Sequence, residues 1–161
     1  MAKVNPQDKT SAIEYTVLNK QSNNDPNVLK IRNEKHLSNN FRVVHQNICG
    51  ILHETDELLI SLLGNSSQVL CISEHHLCID KINNINFSPY TLGAQYCRQH
   101  CKKGGVAILV TNNIQFNIID LGQFSKEKDL EVCALRISLL QKNLIIACIY
   151  RSPTGDFQYF I

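Results

Sequence analysis

The feature that most constrains the fold is a series of short apolar runs, each of strand length and bounded by polar or turn-forming residues. The runs occupy residues 41–47, 69–73, 90–97, 105–111, 114–120, 130–138 and 144–150. Runs of this length that are rich in β-branched residues predict buried β-strands. Residues 141–143, Gln-Lys-Asn, have the size and chemistry of a hairpin turn between the last two runs.

One stretch has helical spacing instead. Five leucines between positions 52 and 63 lie near helical spacing, and acidic residues stand in the first turn. This pattern predicts an amphipathic helix between the first two strands. A strand–helix–strand unit followed by hairpins predicts a layered α/β or α+β fold.

The N-terminal segment differs in composition from the rest. The first forty residues contain eight Asn, and 21–27 is a polar, turn-prone stretch with nothing to bury. We therefore predict two regions: a polar, disordered leader over 1–39, with a short helix near 11–19, and a folded domain over 40–161. A docking tail is the alternative interpretation of the leader.

The seven cysteines are odd in number, and most lie inside apolar runs. The first ten residues have no apolar signal segment, and no apolar run approaches the ~18 residues of a membrane span. These observations predict reduced thiols in an intracellular protein that is neither secreted nor embedded in a membrane.

Three polar residues stand where apolar runs end. Asn47 closes the first run, Glu74 follows 69–73, and Tyr150 ends 144–150. Functional groups often occupy the carboxyl ends of strands in layered α/β folds. Since a single polar residue at a strand end usually marks only the start of solvent, the argument rests on the combination and its order.

Four motifs in order resemble one family. They are Gln46-Asn47-Ile48-Cys49-Gly50, Ile72-Ser73-Glu74-His75-His76-Leu77, Gly104-Gly105-Val106-Ala107-Ile108 and Ile149-Tyr150-Arg151-Ser152-Pro153. Together they resemble the opening motifs of the apurinic/apyrimidinic-type endonuclease domain of non-LTR retrotransposons, within the endonuclease/exonuclease/phosphatase superfamily. The resemblance covers about residues 41–161 and implies the N-terminal portion of a four-layer α/β/β/α sandwich.

The resemblance also implies roles for individual residues. Glu74 matches the family's metal-binding Glu, Asn47 matches the Asn that organises the metal and scissile phosphate, and Tyr150 matches the Tyr that hydrogen-bonds this phosphate. The implied cofactor is Mg²⁺, a hard cation that suits carboxylate and phosphate oxygens. The implied partner is DNA, and a nuclear location follows from the resemblance alone.

A basic cluster precedes the Gly104-Gly105 pair, which the family uses as a structural turn. Arg98, Lys102 and Lys103, with His100, are weak candidates for contacts to the nucleic-acid backbone. A solvated loop is the competing interpretation.

Three further patterns resemble functional sites, but a structural or supporting role is preferred for each. Cys97, His100 and Cys101 are zinc-ligand types within five positions, but no clear second pair completes a four-ligand site. His75 and His76 are likewise interpreted as supporting or surface residues. Asp156 follows Gly155, as in the family's Gly-Asp-x-Asn motif, but comes too soon after Tyr150; a helix N-cap is the preferred role.

The family's Gly-Asp-x-Asn and Ser-Asp-His motifs cannot be placed in the sequence. We therefore expect a truncated domain that does not hydrolyse DNA alone, although full-length members carry out Mg²⁺-dependent phosphodiester hydrolysis. Two alternatives stay open: another phosphodiesterase or phosphatase of the same superfamily, and a non-enzymatic remnant.

Overall fold

A computed structural model describes residues 13–18, 40–51, 67–100, 103–139, 142–156 and 158, and its strands form two sheets. The strands are β1 Ile13–Leu18, β2 Asn40–Asn47, β3 Val69–Ser73, β4 Tyr90–Tyr96, β5 Val106–Thr111, β6 Phe116–Ile119, β7 Glu131–Leu139 and β8 Lys142–Tyr150. A short helix, α1, spans Ile79–Asn83, and a 3₁₀ turn spans Gly122–Phe124.

The larger sheet has the strand order β1-β2-β3-β5-β4, in which only β2 and β3 run parallel. A parallel pair needs a crossover connection, and here it passes through residues 52–66. The helix predicted over 52–63 lies outside the described residues. Because Asn47 is registered opposite Ser73, the carboxyl ends of β2 and β3 meet at one edge of the sheet.

The smaller sheet is an antiparallel meander in the order β6-β7-β8. The predicted hairpin between the last two strands is confirmed, although β8 begins at Lys142, inside the stretch predicted as a turn. At the other end of the hairpin, Glu131 is registered opposite Tyr150. This pairing brings the start of β7 to the end of β8.

The two sheets pack face to face around an apolar cluster. Its buried members are Phe41, Val69, Cys71, Ala94, Val106, Ile108, Val110, Cys133, Leu135, Ile137, Ile146 and Cys148. All five residues of β3 and the first five of β5 are buried, which explains why these runs are continuously apolar rather than alternating. The cysteines of the cluster pack as small hydrophobic side chains, as predicted.

A second apolar cluster covers the outer face of the larger sheet. Ile82 of α1, together with Leu77 and Phe87, packs there against β2, β3 and β5. The mixed α/β class is therefore confirmed, with a helical layer, two β layers and few helices. No described helix covers the outer face of the smaller sheet, where Ile145 and Ile149 are exposed.

Seven strand predictions are confirmed, with small shifts at their ends. The short helix predicted near 11–19 is wrong, because Ile13–Leu18 forms β1 and pairs antiparallel with β2. The division into a leader over 1–39 and a domain over 40–161 stays a prediction. Helix α1 was not predicted. Among the described residues, no helix is long and apolar enough to span a bilayer.

Removal of the Leu135 side chain should test the packing between the sheets. Leu135 is fully buried in that cluster, whereas Ile145 is 60% exposed on β8. We expect Leu135→Ala to lower the free energy of unfolding by about 2–5 kcal/mol, and Ile145→Ala to lower it by under about 1 kcal/mol. Urea unfolding measures both values, and equal losses would contradict the face-to-face arrangement.

Candidate functional site

The structure brings the three predicted catalytic residues together. Asn47 Nδ2 donates a hydrogen bond of 2.8 Å to Glu74 Oε1. The Tyr150 phenol lies near the Glu74 carboxylate, and each group shifts the pKa of the other. Asn47 and Glu74 come from the parallel edge of the larger sheet and Tyr150 from the smaller one, so the site lies where the two sheets meet.

The Glu74 carboxylate is held in its charged form. Partial burial pushes its pKa upward, but the neighbouring polar groups of Asn47, Tyr150, His76 and Cys49 outweigh burial and hold the pKa below its ordinary value. Glu74 therefore carries a full negative charge at neutral pH. A charged carboxylate among neutral donors is the kind of group that binds a hard cation.

The Tyr150 phenol keeps its proton throughout the physiological range. Burial, followed by the effect of the neighbouring Glu74 carboxylate, raises its pKa to about 12. The ring packs against the cluster between the sheets, which fixes the direction of the hydroxyl. Tyr150 is thus a permanent neutral donor beside an anion.

The backbone beneath Glu74 has an unusual conformation. Cys49, Glu74 and His76 have positive φ values of 47°, 56° and 59°, which non-glycine residues adopt at a cost. Backbone hydrogen bonds beyond the strand ends hold the conformation: Gly50 N donates to Glu74 O at 2.8 Å, and His76 N donates to Gly104 O at 2.8 Å. The carboxylate is therefore carried on a fixed backbone.

The two histidines after Glu74 have different surroundings. His75 is fully buried, with Leu77 N donating to its Nδ1 at 3.0 Å and its Nε2 lying 3.1 Å from Tyr96 O. Nε2 therefore carries the proton, and neither nitrogen is available to a metal. His76 Nε2 lies 3.5 Å from Glu74 Oε2 and is shielded from solvent without a hydrogen bond. These placements agree with the supporting role predicted for the pair.

The basic residues predicted to contact nucleic acid have different surroundings in the structure. Arg98 forms an ion pair with the fully buried Glu131, and its side chain is only 8% exposed. That geometry does not suit a contact to a DNA phosphate. Lys103 is exposed, and Lys102 lies outside the described residues.

Glu131 is a residue that the sequence analysis missed. It begins β7 and lies on the same face of the strand as the buried residues Cys133, Leu135 and Ile137. A carboxylate on the apolar phase of an alternating strand is the signal that identifies it as buried.

The remaining candidates are the residues considered for a zinc site and for the Gly-Asp-x-Asn motif. Burial raises the pKa of Cys97 to about 11, which disfavours a zinc-binding thiolate; His100 is exposed, and Cys101 lies outside the described residues. Asp156 Oδ1 accepts a 3.0 Å hydrogen bond from Gln158 N, the bond that an N-cap Asp makes.

The site suits a cation that completes its shell with other ligands. Glu74 offers carboxylate oxygens, and Asn47 Oδ1 offers an amide oxygen that now accepts a 3.2 Å bond from Cys49 N. Among the described residues, no group of three or more His, Cys, Asp or Glu side chains is arranged as a metal cage. Mg²⁺ needs only one or two carboxylates and keeps several waters, so these residues fit it.

The chain was compared with protein families, curated proteins and solved structures. No protein-family model and no curated protein matches the sequence. The chain is similar in structure to the endonuclease domain of TRAS1, a telomere-specific non-LTR retrotransposon, with a TM-score of 0.56 and 15% identity. The match covers 74% of this chain and 50% of that domain, so the chain spans about half of its length. At this identity the likeness shows the fold alone.

The buried imidazole gives a prediction for the pH dependence of stability. Burial lowers the pKa of His75 from 6.5 to about 4. The unfolded chain therefore takes up a proton at a higher pH than the folded chain. The contribution of His75 is complete above about pH 6.5 and is lost as the pH falls toward 4. At about 1.4 kcal/mol for each pKa unit, the loss is about 3 kcal/mol.

Urea unfolding between pH 7 and pH 4 measures this loss. The chain with His75→Asn, which keeps an acceptor for Leu77 N, should lose less stability over that interval than the parent chain. His100→Asn, at an exposed position, is the matched control and should follow the parent curve. The same pH dependence in all three proteins would contradict the buried, neutral His75.

Proposed function

We propose that this chain belongs to a metal-dependent endonuclease of the non-LTR retrotransposon type, with DNA as its substrate. Asn47, Glu74 and Tyr150 are proposed as its metal- and phosphate-binding residues. The observation that carries the proposal is that Asn47 and Tyr150, which are distant from Glu74 in the sequence, both lie beside its carboxylate. The four ordered motifs and the fold shared with a retrotransposon endonuclease domain support it.

The chemistry of the site agrees with phosphodiester cleavage. Mg²⁺ bound at Glu74, with Asn47 beside it, would neutralise the charge on the phosphate oxygens as a Lewis acid. The Tyr150 hydroxyl, which keeps its proton, can donate to the same oxygens. A neutral donor placed where negative charge develops stabilises the transition state without changing its own charge.

Among the described residues, Arg98 is engaged with Glu131, whereas Lys103, next to the Gly104-Gly105 turn, and Arg151, next to Tyr150, are exposed. We propose that the metal ion adds to the attraction that these cations exert on a DNA phosphate. DNA binding should therefore depend on Mg²⁺ as well as on these side chains.

Cleavage also requires an activated water and a stabilised leaving group. The family motifs that supply them have no match in these 161 residues. Catalytic groups that act as a unit lose most of their effect when one is missing. We propose that this chain binds the metal weakly and does not cleave DNA on its own.

A Mg²⁺ titration followed by amide chemical shifts tests the metal site. Addition of Mg²⁺ should shift the amide signals of residues 74–76, with the weak affinity expected of a single carboxylate. Glu74→Gln should abolish these shifts because it removes the carboxylate charge that binds the cation. Asp156→Asn, a matched loss of an exposed carboxylate, should leave them unchanged. Shifts that survive Glu74→Gln would place the metal elsewhere.

A plasmid-nicking assay with Mg²⁺ tests the substrate and the missing chemistry. The 161-residue chain should produce no more nicked plasmid than Glu74→Ala does, because neither protein supplies the activated water. Nicking that depends on Glu74 would show that the chain cleaves DNA unaided.

A further inference from the structure

The buried carboxylate of Glu131 is surrounded by donors. Its Oε1 accepts from Arg98 Nε at 2.5 Å and from Lys128 N at 3.3 Å, and its Oε2 accepts from Gly105 N at 2.6 Å. Arg98 Nη2 also contacts Oε1. A fully buried charge persists only when its lone pairs are satisfied in this way, so the carboxylate fixes the position of every group that bonds it.

The Gly104-Gly105 turn is one of those groups. Both glycines have left-handed φ values, 91° and 87°. A Cβ on Gly104 would overlap the Arg98 guanidinium, and a Cβ on Gly105 would overlap the His75 ring. The turn is thus enclosed between Arg98 on one side and His75 on the other, and only glycine fits there.

The same turn holds the backbone that carries the candidate metal ligand. Gly105 O accepts from His75 N at 3.4 Å, and Gly104 O accepts from His76 N at 2.8 Å. These bonds hold the two residues that follow Glu74, whose own φ of 56° needs outside support. A continuous set of bonds therefore runs from Glu131 through the turn to the residues on the C-terminal side of Glu74.

Glu131 is also connected to the third residue of the site. It is registered directly opposite Tyr150 in the β7–β8 pair. One carboxylate thus lies at the junction of the two sheets, bonded to the turn on the larger sheet and paired with the strand end that carries Tyr150.

We propose that Glu131 and Arg98 are positioning residues, which hold Glu74 and Tyr150 in register across the two sheets. The inference rests on the proposed function of Glu74 and Tyr150. Both residues would act on the site through the Gly104-Gly105 turn and the β7–β8 pairing. Replacing a buried ion pair by neutral residues of similar volume is often neutral for stability, so the role of this pair is to fix geometry.

Amide hydrogen exchange of the full chain tests the proposal. The double variant Arg98→Met/Glu131→Gln avoids leaving one buried charge unpaired. We expect exchange at His76 and Gly50, whose amides bond Gly104 O and Glu74 O, to accelerate at least tenfold. The amides of Ile108 and Leu109, in the centre of β5, should stay protected as in the parent chain.

Asp129→Asn is the matched control. Asp129 lies two residues before Glu131 and forms a 2.8 Å ion pair with Lys126, whose side chain is 47% exposed. The substitution breaks this ion pair. This variant should leave exchange at His76 and Gly50 unchanged.

Two results would overturn the proposal. One is unchanged exchange at His76 and Gly50 in the double variant; the other is an equal acceleration in β5, which would indicate a general loss of stability. The measurement uses no metal, DNA or turnover. Localised acceleration in a chain that binds no Mg²⁺ at Glu74 would therefore refute the proposed function while supporting the linkage between Glu131 and the Glu74 backbone.

Discussion

The pairing of β3 with a parallel neighbour on one side and an antiparallel neighbour on the other is the constraint on which the site depends. The parallel register with β2 sets Asn47 beside Ser73, so that Asn47 Nδ2 reaches the carboxylate of the next residue. The antiparallel register with β5 sets Ser73 beside Val106, which brings the Gly104-Gly105 turn under the same carboxylate. Close packing on both faces of β3 holds both registers, since a slip of one residue would exchange the side chains that fit the two apolar clusters.

The second requirement is that the two sheets keep a fixed relation. Tyr150 reaches Glu74 only because β8 packs across β3 and β5, through side chains such as Ile146 and Cys148. Cys148 Sγ, which donates to Ile72 O at 3.4 Å, ties the sheets two residues from Glu74. Because the apolar interior is close-packed, one sheet cannot shift relative to the other without disturbing these contacts. The Arg98–Glu131 ion pair adds a directional contact at the edge of that interior.

Much of the fold follows from local pattern. Strand-length apolar runs locate seven strands, and polar residues at three of their ends locate Asn47, Glu74 and Tyr150. What the pattern does not contain is pairing between distant segments. The strand β1 has no strong period of its own, and its structure comes from pairing with β2; strand formation depends on such context more than helix formation does.

The charged residues also show that local sequence pattern does not predict pairing between distant segments. Arg98 stands in a basic stretch that was interpreted either as a nucleic-acid contact or as a solvated loop, yet it pairs with Glu131, 33 positions further along the chain. The spacing of Glu131 from the apolar residues of β7 predicts that its side chain faces the interior. The spacing does not identify the cation that compensates the buried charge. Helix α1 was missed for a simpler reason: at five residues it is too short to establish a helical period.

Titration of Tyr150 tests most directly whether the three residues share one site. The phenol pKa, followed by the ¹³Cζ resonance of tyrosine and assigned with Tyr150→Phe, should be about 12 in the parent chain. In Glu74→Gln it should fall toward the ordinary value of 10, because removal of the neighbouring negative charge makes tyrosinate less unfavourable. The same elevated pKa in both proteins would show that Tyr150 does not reach Glu74 and would contradict the shared site.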